Sequence, residues 1–67
     1  MTIYVRKFNG SVIQTAKIKE LGIGGYAFET SLFGDKPYEL NVNMPTFKTQ
    51  RMAENWMAKS KQWEELN

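Results

Sequence analysis

The 67 residues suffice for one domain with a small core, and 42% of them are hydrophobic. Nine basic and seven acidic residues give a net charge of +2, which permits a polyanionic partner without requiring one. The chain has no cysteine and no histidine, which excludes disulfides and thiolate zinc sites and removes the commonest general base.

The first predicted element is a β-hairpin. Residues 2–8 and 11–19 are rich in β-branched and aromatic side chains, and they flank the pair Asn9-Gly10. Both turn residues tolerate the positive φ of a type I′ turn. We therefore expect a two-residue loop, with Phe8 opposite Ser11.

This register fixes the two faces of the hairpin. It pairs Arg6 with Ile13 and Tyr4 with Thr15, because side chains alternate between the faces. The more aliphatic face is assigned to the core, and it holds Ile3, Val5, Val12, Ala16 and Ile18.

A second hairpin is predicted after the glycine-rich connection 21–25. The alternative for these glycines, a phosphate-binding loop, lacks the lysine of a P-loop. Strands are expected at about 25–33 and 37–44, the second alternating cleanly between apolar and polar residues. For the two strands to share a buried face, the loop at 34–36 must be a bulged three-residue turn.

The last element is an amphipathic helix at about 49–65. Thr49 is the expected N-cap, because its hydroxyl can accept from the first turn's unpaired amides. The apolar stripe places Trp56 in the core, whereas Trp63 could belong to the core or overhang it. The predicted fold is α+β: a single domain, 1–67, in which a four-stranded antiparallel β-meander carries one C-terminal α-helix packed on one face.

Such a sheet leaves its other face uncovered, and candidate binding residues from the first hairpin lie there. Aromatic and basic residues interleaved on a sheet can stack on bases and contact phosphates. Alternatively, the aromatics form a cross-strand cluster with solubilising charges beside it. The set for nucleic-acid or partner binding is Tyr4, Arg6, Phe8, Ile13, Thr15, Lys17 and Lys19.

The segment TFKTQRMAENW, residues 46–56, resembles the strand-to-helix junction of AP2-like DNA-binding domains, in particular the arm-type domains of phage integrases. Residues 25–29, GYAFE, are similar to the second strand of that family, so the resemblance spans about residues 25–59. It implies a small DNA-binding protein of phage or mobile-element type, whose uncovered sheet face enters the major groove.

Two functional classes remain open. The first is a non-enzymatic protein that binds nucleic acid through the uncovered face. The second is a protein-interaction module that uses the same aromatic face to bind a host protein as an accessory or inhibitor, or to form a homodimer. We expect no enzymatic activity, no cofactor, no metal and no membrane partner, and a cytoplasmic location, since neither a signal peptide nor a long apolar run is present.

Overall fold

The computed structural model describes residues 2–32 and 36–66. Within these residues the elements are β1 (Ile3–Phe8), β2 (Ser11–Glu20), β3 (Tyr26–Leu32), β4 (Glu39–Leu40), α1 (Gln50–Lys59) and β5 (Glu64–Leu66). The strands form one antiparallel sheet in the order β4-β3-β2-β1-β5. The α+β class with one helix is therefore confirmed, but the described part of the chain has five strands and not four.

The core lies between α1 and one face of the sheet. The buried cluster consists of Tyr4, Ala16, Phe28, Ala53, Met57 and Trp63, and Ile18, Met44 and Phe47 pack against it. Phe28 and Met57 are the largest fully buried side chains, and they join the central strands to the helix. We call the sheet face turned away from α1 the open face.

The first hairpin has the expected turn and a different register. Asn9 and Gly10 have φ values of 51° and 81°, and Phe8 is opposite Ser11. A bulge then leaves Ile13 without a partner, so Arg6 pairs with Gln14 and not with Ile13.

The one-residue shift exchanges the faces of β1. Tyr4 pairs with Ala16, not with the expected Thr15, and is buried beneath the helix, whereas Val5 pairs with Thr15 on the open face. Val5 is buried as expected, with 3% of its surface exposed, but it lies on the open face and not under the helix. Because a tyrosine ring covers far more apolar area than a valine, the observed register buries more surface beside small Ala16.

The second hairpin ends in a turn, where a strand was expected. Only Glu39–Leu40 pairs with β3, in place of the predicted strand at 37–44. The Asn41 side chain accepts from the Asn43 amide, and the Asn41 carbonyl accepts from the Met44 amide. Asparagine thus closes a local turn that competes with the sheet ladder. The three-residue loop predicted at 34–36 includes positions 34 and 35, which lie outside the described residues.

Thr49 is the N-cap of the helix as expected, and its hydroxyl accepts from the Met52 amide at 3.2 Å. The helix is shorter than predicted. It ends at Lys59 and not at residue 65, because Ser60 is extended and its hydroxyl accepts from the Gln62 amide. The residues beyond form β5, which pairs with β1 and satisfies the edge of that strand.

The two tryptophans differ in burial. Trp63 is 8% exposed and belongs to the core cluster, whereas Trp56 is 36% exposed. Trp56 was expected in the core, but about a third of its surface is exposed, so it lies at the edge of the core. The early helix end turns the chain after Lys59, so Trp63 can pack against the sheet beside β1.

Candidate functional site

The structure divides the predicted binding set between the two faces of the sheet. Tyr4 is buried under the helix and unavailable to a ligand. Arg6 lies on the same face, with its guanidinium 5.9 Å from the Trp63 ring centroid and its Nε donating to Gln14 at 3.0 Å. Phe8, which alternates with them, is 65% exposed at the hairpin end.

The remaining members of the set lie on the open face or at the bulge. Thr15, Lys17 and Lys19 alternate with the buried Ala16 and therefore point to the open face, and Ile13 is the bulged residue. Tyr4, Arg6 and Phe8 of β1 therefore share one face, and the lysines of β2 lie on the other. The sequence-based site is not assembled as predicted, because the bulge reverses β1 relative to β2.

The centre of the open face is closed by Tyr38. Its hydroxyl lies 2.9 Å from Thr15 Oγ1, and the Lys17 ammonium lies 4.4 Å from its ring centroid. Ser31 donates to the Lys36 carbonyl beside it. Thr15 and Ser31 are consequently buried, so this face offers no row of accessible stacking rings.

Carboxylates on the open face partly balance its lysines. Lys19 lies 3.9 Å from Glu29, and Lys7 lies 3.8 Å from Glu64. Long pairs of this kind near the surface contribute at most about 1 kcal/mol to stability. They also mean that a polyanion approaching this face meets carboxylates beside two of its lysines, which opposes binding.

A second surface lies beside the helix. We call it the loop–helix patch, and it consists of Leu21, Ile23, Phe47, Met52 and Trp56. Two adjoining depressions share Phe47 and Met52; one extends to the β2–β3 turn and the other follows the helix past Trp56. Ile23 is 94% exposed and Met52 is 49% exposed, which is unusual for large apolar side chains that lie near one another.

The β2–β3 turn positions Ile23 at the end of the patch. The Leu21 amide donates to the Gly25 carbonyl at 2.7 Å, and the Gly24 amide donates to the Leu21 carbonyl at 3.0 Å. Gly24 has a φ of 91°, which side chains other than glycine rarely adopt. The turn therefore presents Ile23 to solvent in one fixed place.

The helix side of the patch rests on the core. Tyr26 and Phe47 exchange two backbone hydrogen bonds of 2.8 Å, which fixes the segment before the helix to the start of β3. The Trp56 ring centroid lies 5.6 Å from that of Phe28 and 6.3 Å from that of Phe47. One side of the indole is held by the buried Phe28 ring and the partly buried Phe47 ring while the rest remains exposed, so the patch is formed before any partner arrives.

Two lysines lie beside the loop–helix patch. Lys48 lines one depression and Lys59 lines the other; we call these two the basic rim. Within residues 2–32 and 36–66, no ion pair involves either of them.

Carboxylates collect on the opposite flank of α1. Glu20 and Glu54 line one depression there, and Glu54 and Glu65 line the next. Burial, followed by the charges of Glu54 and Glu65, raises the pKa of the Tyr4 phenol. We call Glu20, Glu54 and Glu65 the acidic flank.

The loop–helix patch was missed by the sequence argument. Ile23 stands in a glycine-rich connection, where a large aliphatic side chain has no core to enter, and this was the available signal. Met52 has the spacing of the apolar helix face. The two side chains line one depression because Tyr26 pairs with Phe47 and so brings the β2–β3 turn beside the start of the helix, a contact that no local pattern encodes.

Neither metal-binding nor membrane-spanning features are found in the described ranges. Residues 2–32 and 36–66 contain no group of three or more histidine, cysteine, aspartate or glutamate side chains arranged to hold a metal ion. In the same residues, no helix has the length and apolar character required to cross a bilayer.

Comparison of the chain with protein-family models, with curated proteins and with solved structures gives no match in any of the three. The function must therefore be argued from the surfaces described above.

Proposed function

We propose that this protein is a small non-enzymatic binding module whose partner is another protein, docked on the loop–helix patch. The observation that carries the proposal is the group of exposed apolar side chains, Ile23, Met52 and Trp56, of which Trp56 packs on the buried Phe28 ring. Apolar and aromatic anchors of this kind supply most of the free energy in protein interfaces. Protein interaction is the second of the two classes that the sequence left open, and the proposed surface is the helix flank and not the sheet.

The size of the molecule is consistent with one such interface. A typical stable interface covers about 800 Å² on each partner, which is about a sixth of the 5001 Å² surface of this chain. The two depressions of the patch adjoin at Phe47 and Met52, so one partner can cover both. Little ordering cost is expected on binding, because the turn and the helix are already held by backbone hydrogen bonds.

A peptide-display selection tests this proposal. Randomised peptides are selected on the immobilised chain and then tested against a variant carrying Ile23→Ser and Met52→Ser. Ile23 is 94% exposed and Met52 is 49% exposed. Replacing them should therefore leave the circular dichroism spectrum and the melt nearly unchanged. Selected peptides should bind the wild type and lose binding to the double variant.

The matched control is Val42→Ser, because Val42 is 83% exposed and lines a different depression, with Leu32 and Leu40. Peptides should bind this variant as they bind the wild type. If no peptide is enriched, or if enriched peptides bind the double variant equally well, the loop–helix patch is not the docking surface.

Nucleic-acid binding through the open face is the second candidate function. Its specific support is that Lys7, Lys17 and Lys19 all project from that face, together with the resemblance of residues 46–56 to arm-type DNA-binding domains. An electrophoretic shift assay with duplex and single-stranded DNA tests it. Affinity should fall steeply with salt and weaken in Lys17→Ala, whereas Lys61→Ala should have no effect; absence of a shift at low salt would remove this candidate.

A further inference from the structure

The basic rim indicates which chemical class of protein segment the loop–helix patch accepts. Lys48 lines the depression that holds Ile23, and Lys59 lines the one that holds Trp56. The carboxylates near the helix lie on its other flank, where Glu54 accepts from the Gln50 side chain. A ligand on the patch therefore meets positive charge beside an apolar centre.

The backbone around the patch restricts the conformation of that ligand. A peptide added as a strand needs a free ladder of amides and carbonyls. At the patch, Tyr26 and Phe47 bond to each other, and Leu21 bonds to Gly25 and Gly24. These backbone groups are therefore already bonded, and a ligand on the patch contacts mainly side chains. Amphipathic helices dock in grooves lined by apolar side chains.

We infer that the loop–helix patch binds an acidic amphipathic helix of a partner protein, with its apolar side on Ile23, Met52 and Trp56 and its carboxylates beside the basic rim. This inference rests on the proposed function and specifies its partner. The acidic helix should associate faster and more tightly than a basic helix of the same apolar pattern, because opposite charges steer encounter and like charges oppose it. Added salt should reduce the difference.

Two other occupants would also be attracted to the basic rim. A second copy of the chain could present its acidic flank to the basic rim, which would make the protein self-associate. A nucleic acid would also be attracted to the basic rim, but half of its stacking surface would be lost, since one side of Trp56 is already packed against Phe28 and Phe47. The exposed aliphatic centre favours the helix.

The test uses two synthetic peptides with the same leucine spacing, one with glutamates and one with lysines on the polar side. Each has about 16 residues, so that it can populate a helix. Binding to the full chain is measured by isothermal titration calorimetry at low and high salt. At low salt the acidic peptide should bind at least about tenfold more tightly than the basic one, and high salt should narrow the gap.

Two charge-reversal variants supply the control. Lys48→Glu with Lys59→Glu places negative charge in the patch and should remove the preference for the acidic peptide. Lys36→Glu with Lys61→Glu changes the net charge equally at exposed positions that do not line the patch, and it should retain most of the preference. Equal losses in the two variants would mean that net charge alone explains the effect, and they would overturn the inference.

The remaining outcomes separate this inference from the proposed function. If both peptides bind equally and both lose binding to Ile23→Ser with Met52→Ser, the patch docks proteins without preference for acid, and only the inference fails. If the display selection yields peptides that depend on the patch but the acidic helix does not bind, the inference again fails alone. If neither the selection nor either peptide gives binding that depends on the patch, both fail.

Two further measurements would overturn the inference in favour of another occupant. Light scattering that shows a wild-type dimer, converted to a monomer by Lys48→Glu with Lys59→Glu, would assign the patch to a second copy. A duplex oligonucleotide that displaces the acidic peptide and binds the wild type more tightly would assign the patch to nucleic acid. A monomer from which duplex DNA does not displace the acidic peptide supports the inference.

Discussion

Replacing Trp63 by alanine tests whether the helix ends at Lys59 and Trp63 then packs in the core beside β1, where the sequence pattern predicted a helix to residue 65. Trp63 is 8% exposed, so most of the roughly 200 Å² of a tryptophan side chain is buried, and at about 25 cal/mol per Å² its removal should cost about 4 to 5 kcal/mol. A 67-residue domain has only about 3 to 10 kcal/mol in total. The variant should therefore unfold at much lower urea, or be unfolded without it.

Trp56→Ala is the matched comparison. Because Trp56 is 36% exposed, the same calculation gives about 3 kcal/mol, and solvent can enter the space that the side chain leaves. The sequence pattern alone, with a helix to residue 65 and Trp56 as its core anchor, predicts about 3 to 5 kcal/mol for this change. The structure thus reverses the order of the two tryptophans.

Urea unfolding followed by far-ultraviolet circular dichroism measures both variants, and hydrogen exchange locates the effect. In Trp63→Ala the amides of β1 that pair with β5 should lose protection along with the fold. An unshifted midpoint in Trp63→Ala, or a larger shift in Trp56→Ala, would refute the placement of Trp63 beneath β1 and the pairing of β5 that it supports.

Three further predictions concern the first turn, the helix cap and the buried tyrosine. Gly10 has a φ of 81°, so Gly10→Val should cost about 1 to 3 kcal/mol. The control is Gly22→Ala, which has open space at its Cβ and should be neutral or slightly stabilising. Equal urea midpoints for the two variants would contradict the positive φ assigned to Gly10. Thr49→Ala removes the N-cap acceptor and should cost about 1 kcal/mol, so an unchanged melt would count against the cap. Burial and nearby glutamates raise the pKa of Tyr4 above 10.0. The neutral phenol therefore contributes stability below pH 10.0 that is lost as the pH rises through the folded-state pKa. Tyr4→Phe should reduce this alkaline loss in melts recorded against pH, and an identical alkaline profile would refute the assignment.

The features predicted correctly are those fixed by chemistry within a few residues. Asn9-Gly10 forms the first turn because both residues accept a positive φ. Thr49 begins the helix because a hydroxyl at that position reaches the amide three residues later. The α+β class followed from such signals together with the period of the apolar residues.

The errors arise where two local arrangements compete and distant contacts decide between them. Asn41 and Asn43 fit the polar face of a strand, but the Asn41 side chain and carbonyl accept from the Asn43 and Met44 amides and close a turn from which Met44 packs against the core. Ser60 fits a helix interior by spacing, yet its hydroxyl bonds locally and the helix stops. In both places the residues keep the spacing of a strand or a helix, but the chain does not form that element.

The turn at Asn9-Gly10, the start of the helix and the α+β class follow from the residues alone, because each depends on interactions between near neighbours. The choice of the buried face of β1 and the position of the apolar patch depend instead on contacts between distant elements. The bulge at Ile13 reverses the side chains of β1, and the pairing of Tyr26 with Phe47 places Ile23 and Met52 along one depression. Both depend on the free energy of packing elements that are far apart in the chain, which no short window of residues contains.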